Sequence, residues 1–289
     1  MTSGGDIELQ VLICTCGSEG INRVANGIHP RVPKVEYLVS WQNSNGLPLP
    51  ESLERTDFRI VRAAGKGLSK NRNTAFAHST APLILISDDD LDYTVEGLEN
   101  VIESFRRHPE TDIITFQYDS VLGKKNYPDH SFSLATPAKG YFVTSFEIAL
   151  RRKSIFCKVW FNENFGIGAP FPSGEEDVFL QDCLNVGLTG IFLPVTIMRH
   201  DGTTTSERNL MLASRPETKG AVFLHLHPRD WFLRMIAHTI REIPMWRKGV
   251  VPSPFSYCLN WLKGARRAKK SGLFPTPDYS SRYLADRKD

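Results

Sequence analysis

Residues 83–93 of the sequence read LILISDDDLDY, an unbroken aliphatic run that passes directly into four carboxylates within five positions. A short aliphatic run of this kind is typical of a strand that is buried on both faces, as in a parallel sheet. The carboxylates follow the carboxyl end of that strand, which is where open α/β sheets bind their ligands. The stretch therefore predicts both the type of sheet and a ligand site at its edge.

The first two thirds of the chain alternate short apolar runs with helical patterns, which is typical of an α/β fold with helices flanking a mostly parallel sheet. The predicted strands are ELQVLICT (8–15), VEYLVSW (35–41), FRIVRA (58–63), LILIS (83–87), DIITFQY (112–118) and GIFLPVTIMR (190–199). Two helices are predicted, over residues 67–80 with Ser69 as the N-cap and over residues 95–109 with Thr94 as the N-cap and Pro109 as the stop.

The simplest partition is a catalytic core over residues 1–205 and a C-terminal region over residues 206–289. The polar run 201–220 has no clear period, and we expect a mobile loop there that closes over the site as a lid. The following segment, AVFLHLHPRDWFLRMIAHTIREIPMW (221–246), is predicted to be helical, with interruptions at Pro228 and Pro244.

Composition and charge limit the classes of protein to which this chain could belong. The chain has 289 residues and a net charge of +3, and residues 241–289 hold eleven Lys and Arg against four Asp and Glu. The sequence contains neither an apolar window long enough for a membrane span nor a signal-peptide pattern, so we expect a cytoplasmic protein. Five cysteines without a CxxC pair favour reduced thiols, and we expect Cys14 and Cys16 to be buried on one side of a strand.

The aspartates after the predicted strand have two interpretations. Adjacent carboxylates raise one another's pKa unless a cation compensates, and clustered hard oxygen ligands suit Mg²⁺ or Mn²⁺ together with substrate phosphates. Asp88 and Asp90 are predicted to project to one side and Asp89 to the other. The alternative is a solvated acidic turn that caps the next helix.

A second acidic cluster, SGEED at 173–177, precedes a predicted helix that ends near Gly187. Ser173 and Glu176 have capping-box spacing, and acidic residues in a first turn favour the helix dipole, so Glu175 and Glu176 have a structural explanation. Asp177 instead shares a helical face with apolar residues and is the candidate general base, with Glu176 as the second candidate.

His200 follows the last predicted strand, in the sequence Arg199-His200-Asp201. A neutral imidazole at a strand end is able to complete a site for Mn²⁺. A structural role for this histidine remains the alternative.

These pieces in this order resemble the GT-A nucleotide-sugar glycosyltransferases, most closely the inverting glycosyltransferase family 2. The matching stretches are GLSKNRNTAFAHSTAPLILISDDD (67–90), FNENFGIGAPFPSGEEDVFLQDCLNVGLTGIFLP (161–194) and His200. The resemblance implies a GT-A fold and a metal-dependent transfer of sugar from a nucleoside diphosphate sugar, a UDP-sugar above all, to a glycan or lipid-linked acceptor in surface polysaccharide synthesis.

The resemblance also implies roles for individual residues. Asp88 and Asp90 would bind Mn²⁺ or Mg²⁺ with His200 as a further ligand, and Asp89 would lie near the nucleotide sugar. Glu176 and Asp177 match the family's Glu-Asp pair, with the aspartate as the base. The residues that match nucleotide contacts are Thr15 and Arg72.

The sequence departs from the family pattern at the end of the second predicted strand, where the resemblance implies contacts with the base of the nucleotide. The second strand ends in VSWQNSNG without the usual acidic pair, and Ser40, Gln42 or Asn43 are the candidate substitutes. Two alternatives to a glycosyltransferase stay open, a catalytically silent subunit that binds sugar nucleotides and a nucleotidyltransferase.

The basic stretch WLKGARRAKKSGLF (261–274) has two interpretations as well. One is peripheral attachment to an anionic membrane surface through Trp261, Leu262, Phe274 and the neighbouring basic residues. The other is a solvated helix packed on the core. The sequence lacks a nucleic-acid recognition motif, so we expect no nucleic-acid partner.

Overall fold

In the computed structural model, residues 7–120, 125–156, 158–200, 214–249 and 253–285 are described. Within them, nine strands form one sheet with helices packed against it. The strands are β1 (Leu9–Cys16), β2 (Val35–Gln42), β3 (Phe58–Ala63), β4 (Leu83–Ser87), β5 (Asp92–Tyr93), β6 (Ile113–Asp119), β7 (Phe132–Ser133), β8 (Ile148–Arg151) and β9 (Gly190–Arg199). The helices are α1 (Gly17–Asn26), α2 (Leu68–His78), α3 (Val95–Arg107), α4 (Arg152–Ile155), α5 (Glu175–Asn185), α6 (Ser214–Leu226), α7 (Trp231–Arg247), α8 (Pro254–Lys270) and α9 (Ser280–Tyr283).

The strand order β3-β2-β1-β4-β8-β6-β9-β5 makes the sheet mostly parallel, as the sequence predicts. β1 pairs in parallel with both β2 and β4, whereas β8 is antiparallel to its neighbours β4 and β6. All five residues of β4 are buried, which confirms the interpretation of its aliphatic run. Two hydrophobic clusters cover the sheet, one containing α3 residues and the other α2 and α5 residues.

Helix starts differ from the predicted ones in two of three cases. Thr94 caps α3 by accepting a hydrogen bond from the Gly97 amide, as predicted. Ser69 does not cap α2, because its hydroxyl lies inside the helix and donates to the Phe165 carbonyl. α5 begins after Gly174, whose φ of +85° is left-handed, so the predicted Ser173 capping box is absent.

The C-terminal region is helical, with corrections to its details. The predicted break at Pro228 is present between α6 and α7, but Pro244 lies inside α7. The predicted lid falls partly on residues 201–213, outside the described residues, and its remainder, from Ser214 onward, is the start of α6. The predicted boundary between residues 205 and 206 is also outside the described residues.

The three apolar residues of the predicted membrane-binding tail are buried or half-buried. Trp261 of α8 is fully buried, and Leu262 and Phe274 are half-buried against hydrophobic clusters. Cys14 is buried as predicted, but Cys16 is exposed because it is the last residue of β1. No helix in the described part of the chain is long and apolar enough to cross a membrane.

Candidate active site

One edge of the sheet collects the ends of five strands. The carboxyl ends of the parallel strands β1, β2 and β4 lie there. Since β8 runs antiparallel between β4 and β6, and β9 is parallel to β6, the ends of β6 and β9 reach the same edge. A cavity of about 450 Å³ opens at this edge, as expected for an α/β sheet.

The cavity is lined by nearly all the residues that the sequence predicted to belong to the functional site. Its walls include Thr15, Arg72, Asp88, Asp89, Asp90, Glu176 and His200. Asp177 is the exception, since it is half-buried beside this wall and does not line the cavity. Segments more than 180 residues apart in the sequence therefore form one pocket.

Arg72 is a buried cation at the base of the cavity. Its guanidinium donates to Asp88 and Glu175 at 2.9 Å each and to the Ser145 hydroxyl at 2.7 Å, and its side chain is 2% exposed. Burial opposes the charge, but the carboxylates of Asp88 and Glu175 outweigh it and raise the pKa of Arg72. The cation is thus permanently charged and fixed in orientation.

Asp89 is held by a separate set of partners. Its carboxylate accepts a hydrogen bond of 2.6 Å from the Thr15 hydroxyl and two from Arg23, at 2.9 and 3.0 Å. Two-point pairing of a guanidinium with a carboxylate fixes both groups. Asp89 therefore positions Thr15 and Arg23 at the rim of the cavity.

Asp90 faces the end of β9. Its carboxylate lies 3.5 Å from Nε2 of His200, whose side chain is 5% exposed. Burial works against the charged form of Asp90, but the hydrogen bond and charge of His200 prevail, so the pKa of Asp90 lies below its ordinary value. The pair offers one carboxylate and one imidazole on the cavity wall.

The fit of a divalent metal depends on these donors. Among the residues that the structure describes, no three His, Cys, Asp or Glu side chains converge on one point. The carboxylate of Asp88 is 32% exposed but is already paired with Arg72. The two potential metal ligands that lie next to each other are therefore Asp90 and His200. Mg²⁺ and similar ions usually take one or two carboxylates and complete their shell with substrate phosphates and water, so this donor set fits such an ion.

The start of α5 supplies the second acidic group of the site. Oε2 of Glu176 is buried without a hydrogen-bond partner among the described residues, and burial with the charges of Glu175 and Asp177 raises the pKa of Glu176 well above its ordinary value. Burial and the charge of Glu175, opposed by Lys125, raise the pKa of Asp177 to about 6. Both carboxyls are therefore tuned toward proton transfer near neutral pH.

Sequence reasoning missed or misjudged several residues of the site. Glu175 was expected only to favour the helix dipole from the first turn, yet it is buried and paired with Arg72, which lies 103 positions earlier. Arg23 and Ser145 carried no local signal, because only their distant partners reveal them. Gln42, one of three candidates for contacting the nucleotide base, lines the cavity with its amide nitrogen buried and unpaired within the described residues.

Part of the amino-acid sequence matches a known protein family. Residues 35–168 match the family described as Glycosyl transferase family 2. The mixed sheet and its flanking helices form a GT-A-like fold. Residues 35–168 are therefore similar to a family 2 glycosyltransferase domain.

Solved structures share the fold. S. aureus TarS 1–349 is 13% identical with a TM-score of 0.57, over 91% of this chain and 92% of that one. Its complex with UDP-GlcNAc is 14% identical with a TM-score of 0.54, over 75% of this chain and 66% of that one. The mannosyltransferase PcManGT from Pyrobaculum calidifontis, in complex with GDP-Man and Mn²⁺, is 13% identical with a TM-score of 0.50, over 97% and 79%.

The low sequence identity to these structures and the partial coverage of one of them limit the conclusions that the comparisons allow. At such low identity they show the fold alone. The chain spans 39% of the longer TarS chain that it matches. A search of curated proteins by sequence finds no match.

Proposed function

We propose that the chain is a metal-dependent, inverting glycosyltransferase that moves a sugar from a UDP-sugar to a hydroxyl of a glycan or lipid-linked acceptor in surface polysaccharide synthesis. The observation that carries the proposal is the single cavity that unites three aspartates, Arg72 and Glu176 at the carboxyl edge of the sheet. The matched family domain and structural neighbours that bind UDP-GlcNAc or GDP-Man support a sugar nucleotide as the donor.

The cationic groups of the cavity suit a diphosphate. Arg23 and Lys66 lie on its walls, and Arg72 lies beneath Asp88. Thr15 and Asp89 lie next to these cations and would contact the nucleotide. Preorganised charges of this kind favour the anionic leaving group without rearrangement during the reaction.

Gln42 supports uracil as the base. Ser40 is occupied, since its hydroxyl donates to Asn71, and the Asn43 amide faces Cys16. The unpaired amide of Gln42 remains, and an amide presents both a donor and an acceptor, which complements the carbonyl and N–H groups of a uracil edge.

Asp90 and His200 would hold the divalent ion against the donor, with Asp88, the third predicted ligand, paired with Arg72 beside them. When bound, such an ion stabilises negative charge that develops on the leaving diphosphate. Arg72 orients Asp88 and opposes the rise in pKa that burial causes for Asp88, and His200 lies beside Asp90.

Asp177 is the proposed general base. With a pKa of about 6 it is ionised at neutral pH yet basic enough to accept a proton from the acceptor hydroxyl. Glu176, whose pKa is also raised above its ordinary value by burial and by the charges of Glu175 and Asp177, would orient the acceptor by hydrogen bonding. Asp177 directly follows Glu176 in α5 but does not line the cavity, so its role as the base requires the acceptor to reach beyond the cavity wall.

A donor screen tests the proposal. Thermal-shift and calorimetric titrations with UDP-, GDP- and dTDP-sugars, each with Mn²⁺ or with EDTA, should show tightest binding of a UDP-sugar with Mn²⁺. Asp90→Ala should weaken that binding, whereas Asp129→Ala, at an exposed carboxylate outside the cavity, should not. Unchanged affinity in Asp90→Ala would count against its role as a ligand.

Product analysis separates the competing activities. Turnover with an acceptor glycan should release a nucleoside diphosphate, and release of pyrophosphate would identify a nucleotidyltransferase instead. Binding without any transfer or donor hydrolysis would identify a silent subunit.

A further inference from the structure

The outer face of α7 is apolar, although helices of a folded protein normally turn their apolar face inward. Of the twelve large hydrophobic residues that are exposed among the described residues, seven lie on α7 and α8. They are Phe232, Leu233, Ile236, Ile240 and Trp246 on α7 and Phe255 and Leu259 on α8. Clustering of this extent marks an interaction surface rather than scattered exposure.

The inner face of α7 is already occupied, so the exposed face is a second apolar face. Met235 packs with Tyr257 and Trp261 of α8, and the Thr239 hydroxyl lies 3.2 Å from Sγ of Cys258. Glu242 is buried within 4 Å of cationic groups of α6. The helix is therefore fixed on the protein body by one side and open on the other.

The geometry of α7 separates apolar and basic rows. At about 100° per residue, Phe232, Leu233, Ile236 and Ile240 fall within a sector of about 100°. Arg234, Arg241 and Lys248, the last of them just past the end of α7, are seven positions apart and form a neighbouring row. All three are exposed, and Arg234 pairs with Asp230 at 2.9 Å. The one acidic residue of the helix, Glu242, is buried on the opposite side.

We propose that the exposed face of α7 docks the protein onto an anionic lipid bilayer. An apolar sector bordered by basic residues is the pattern of helices that lie in the plane of a membrane interface. The basic row would meet anionic headgroups while its aliphatic stems follow the apolar sector inward. A second copy of this chain would present the same basic row, and its acidic groups at this helix are already used, since Glu242 is buried and Asp230 pairs with Arg234, so charge complementarity favours the lipid.

This surface differs from the basic stretch 261–274 that the sequence suggested. Trp261 is buried in the contact between α7 and α8, whereas Leu233 and Ile240 are 68% and 59% exposed. The proposal does not depend on the sugar donor, because it concerns a surface outside the cavity.

Vesicle sedimentation of the full chain tests the proposal. The protein should pellet with vesicles of equal parts phosphatidylcholine and phosphatidylglycerol, and weakly or not at all with phosphatidylcholine alone. The double variant Ile236→Glu/Ile240→Glu should lower the partition coefficient by at least about tenfold, because charges replace two inserted side chains. Arg241→Gln/Lys248→Gln should lower it severalfold and reduce its dependence on salt.

Matched controls keep the test decisive. Ile28→Glu changes a residue that is 60% exposed elsewhere on the protein and should leave vesicle binding unchanged. Each variant should keep the thermal midpoint of the wild type, since all the altered side chains are exposed. Wild-type protein that stays in the supernatant with anionic vesicles, or an Ile236→Glu/Ile240→Glu variant that still pellets, overturns the proposal. So does a wild-type dimer in sedimentation velocity that the same double variant dissociates.

Discussion

Arg72 and Glu175 show how a single pair organises the site. Their ion pair joins α2 to the start of α5, and Arg72 also forms an ion pair with Asp88, which follows β4. Removing one partner of a buried ion pair leaves an uncompensated charge, which is strongly unfavourable. The geometry between the end of β4 and the acidic residues of α5 therefore depends on this pair.

Asp177→Asn should lower turnover at least about a hundredfold while donor binding stays close to that of the wild type. The reason is that Asn cannot accept the proton of the acceptor hydroxyl, and Asp177 is not placed against the donor phosphates. Steady-state kinetics and donor titration measure the two effects. Glu176→Gln is the matched comparison, and a larger loss of turnover in that variant would transfer the role of base to Glu176.

Asp177→Asn should also raise the thermal stability of the protein at alkaline pH. The folded pKa of Asp177 is about 6 against an ordinary value of 3.8, so the folded state binds more protons between these values and stability falls as the pH rises through them. Above about pH 6 the wild type carries the full penalty of a partly buried charge, which Asn does not. We expect Asp177→Asn to melt about 2–4 °C higher at pH 8 and equally at pH 3.5. A lower midpoint at pH 8 would contradict the raised pKa.

At the scale of elements, α6 and α8 cross at two glycines. A Cβ on Gly220 would lie 1.9 Å from the Trp261 carbonyl oxygen, and one on Gly264 would lie 1.8 Å from the Glu217 carbonyl oxygen. Such distances are sterically impossible, so the helices approach this closely only because both positions lack a side chain.

Gly264→Ala should therefore destabilise the protein, despite the higher helix propensity of alanine. Separating two packed helices typically lowers stability by about 1–3 kcal/mol, and chemical denaturation would measure the change. Arg266→Ala, at an exposed position of the same helix, is the control and should change stability little. Equal stability of Gly264→Ala and the wild type would show that the helices do not cross at these residues.

At the scale of the whole molecule, the C-terminal region completes the core. Ala221 and Val222 of α6 pack in one cluster with Phe165, Phe171 and Val178, which lie next to the acidic start of α5. Beyond α8, the Asn162 amide donates to the Leu273 carbonyl, and Tyr279 joins the cluster beneath α2 and α5.

Residues 1–205 alone should accordingly fail to fold stably, because removing the rest exposes these apolar residues and orphans the Asn162 amide. Solubility and a thermal melt followed by circular dichroism would show this. A chain lacking only residues 286–289 is the control and should melt like the full chain. A cooperative melt of residues 1–205 at the full-length midpoint would show instead that the predicted core is an independent domain.

The sequence by itself determined the local features of this protein. The aliphatic run of β4, the aspartates after it and the Thr94 cap each depend on neighbours within a few positions, so pattern and propensity predict them. The resemblance to family 2 glycosyltransferases also comes from contiguous motifs, and the matched domain confirms it.

Only the tertiary structure decided which of these features meet. The antiparallel insertion of β8 carries the end of β9, and with it His200, to the edge where Asp90 lies. Burial of Trp261 and exposure of Ile240 likewise depend on how α7 and α8 pack. Contacts between residues far apart in the chain depend on topology and packing, which periodicity within one segment does not encode.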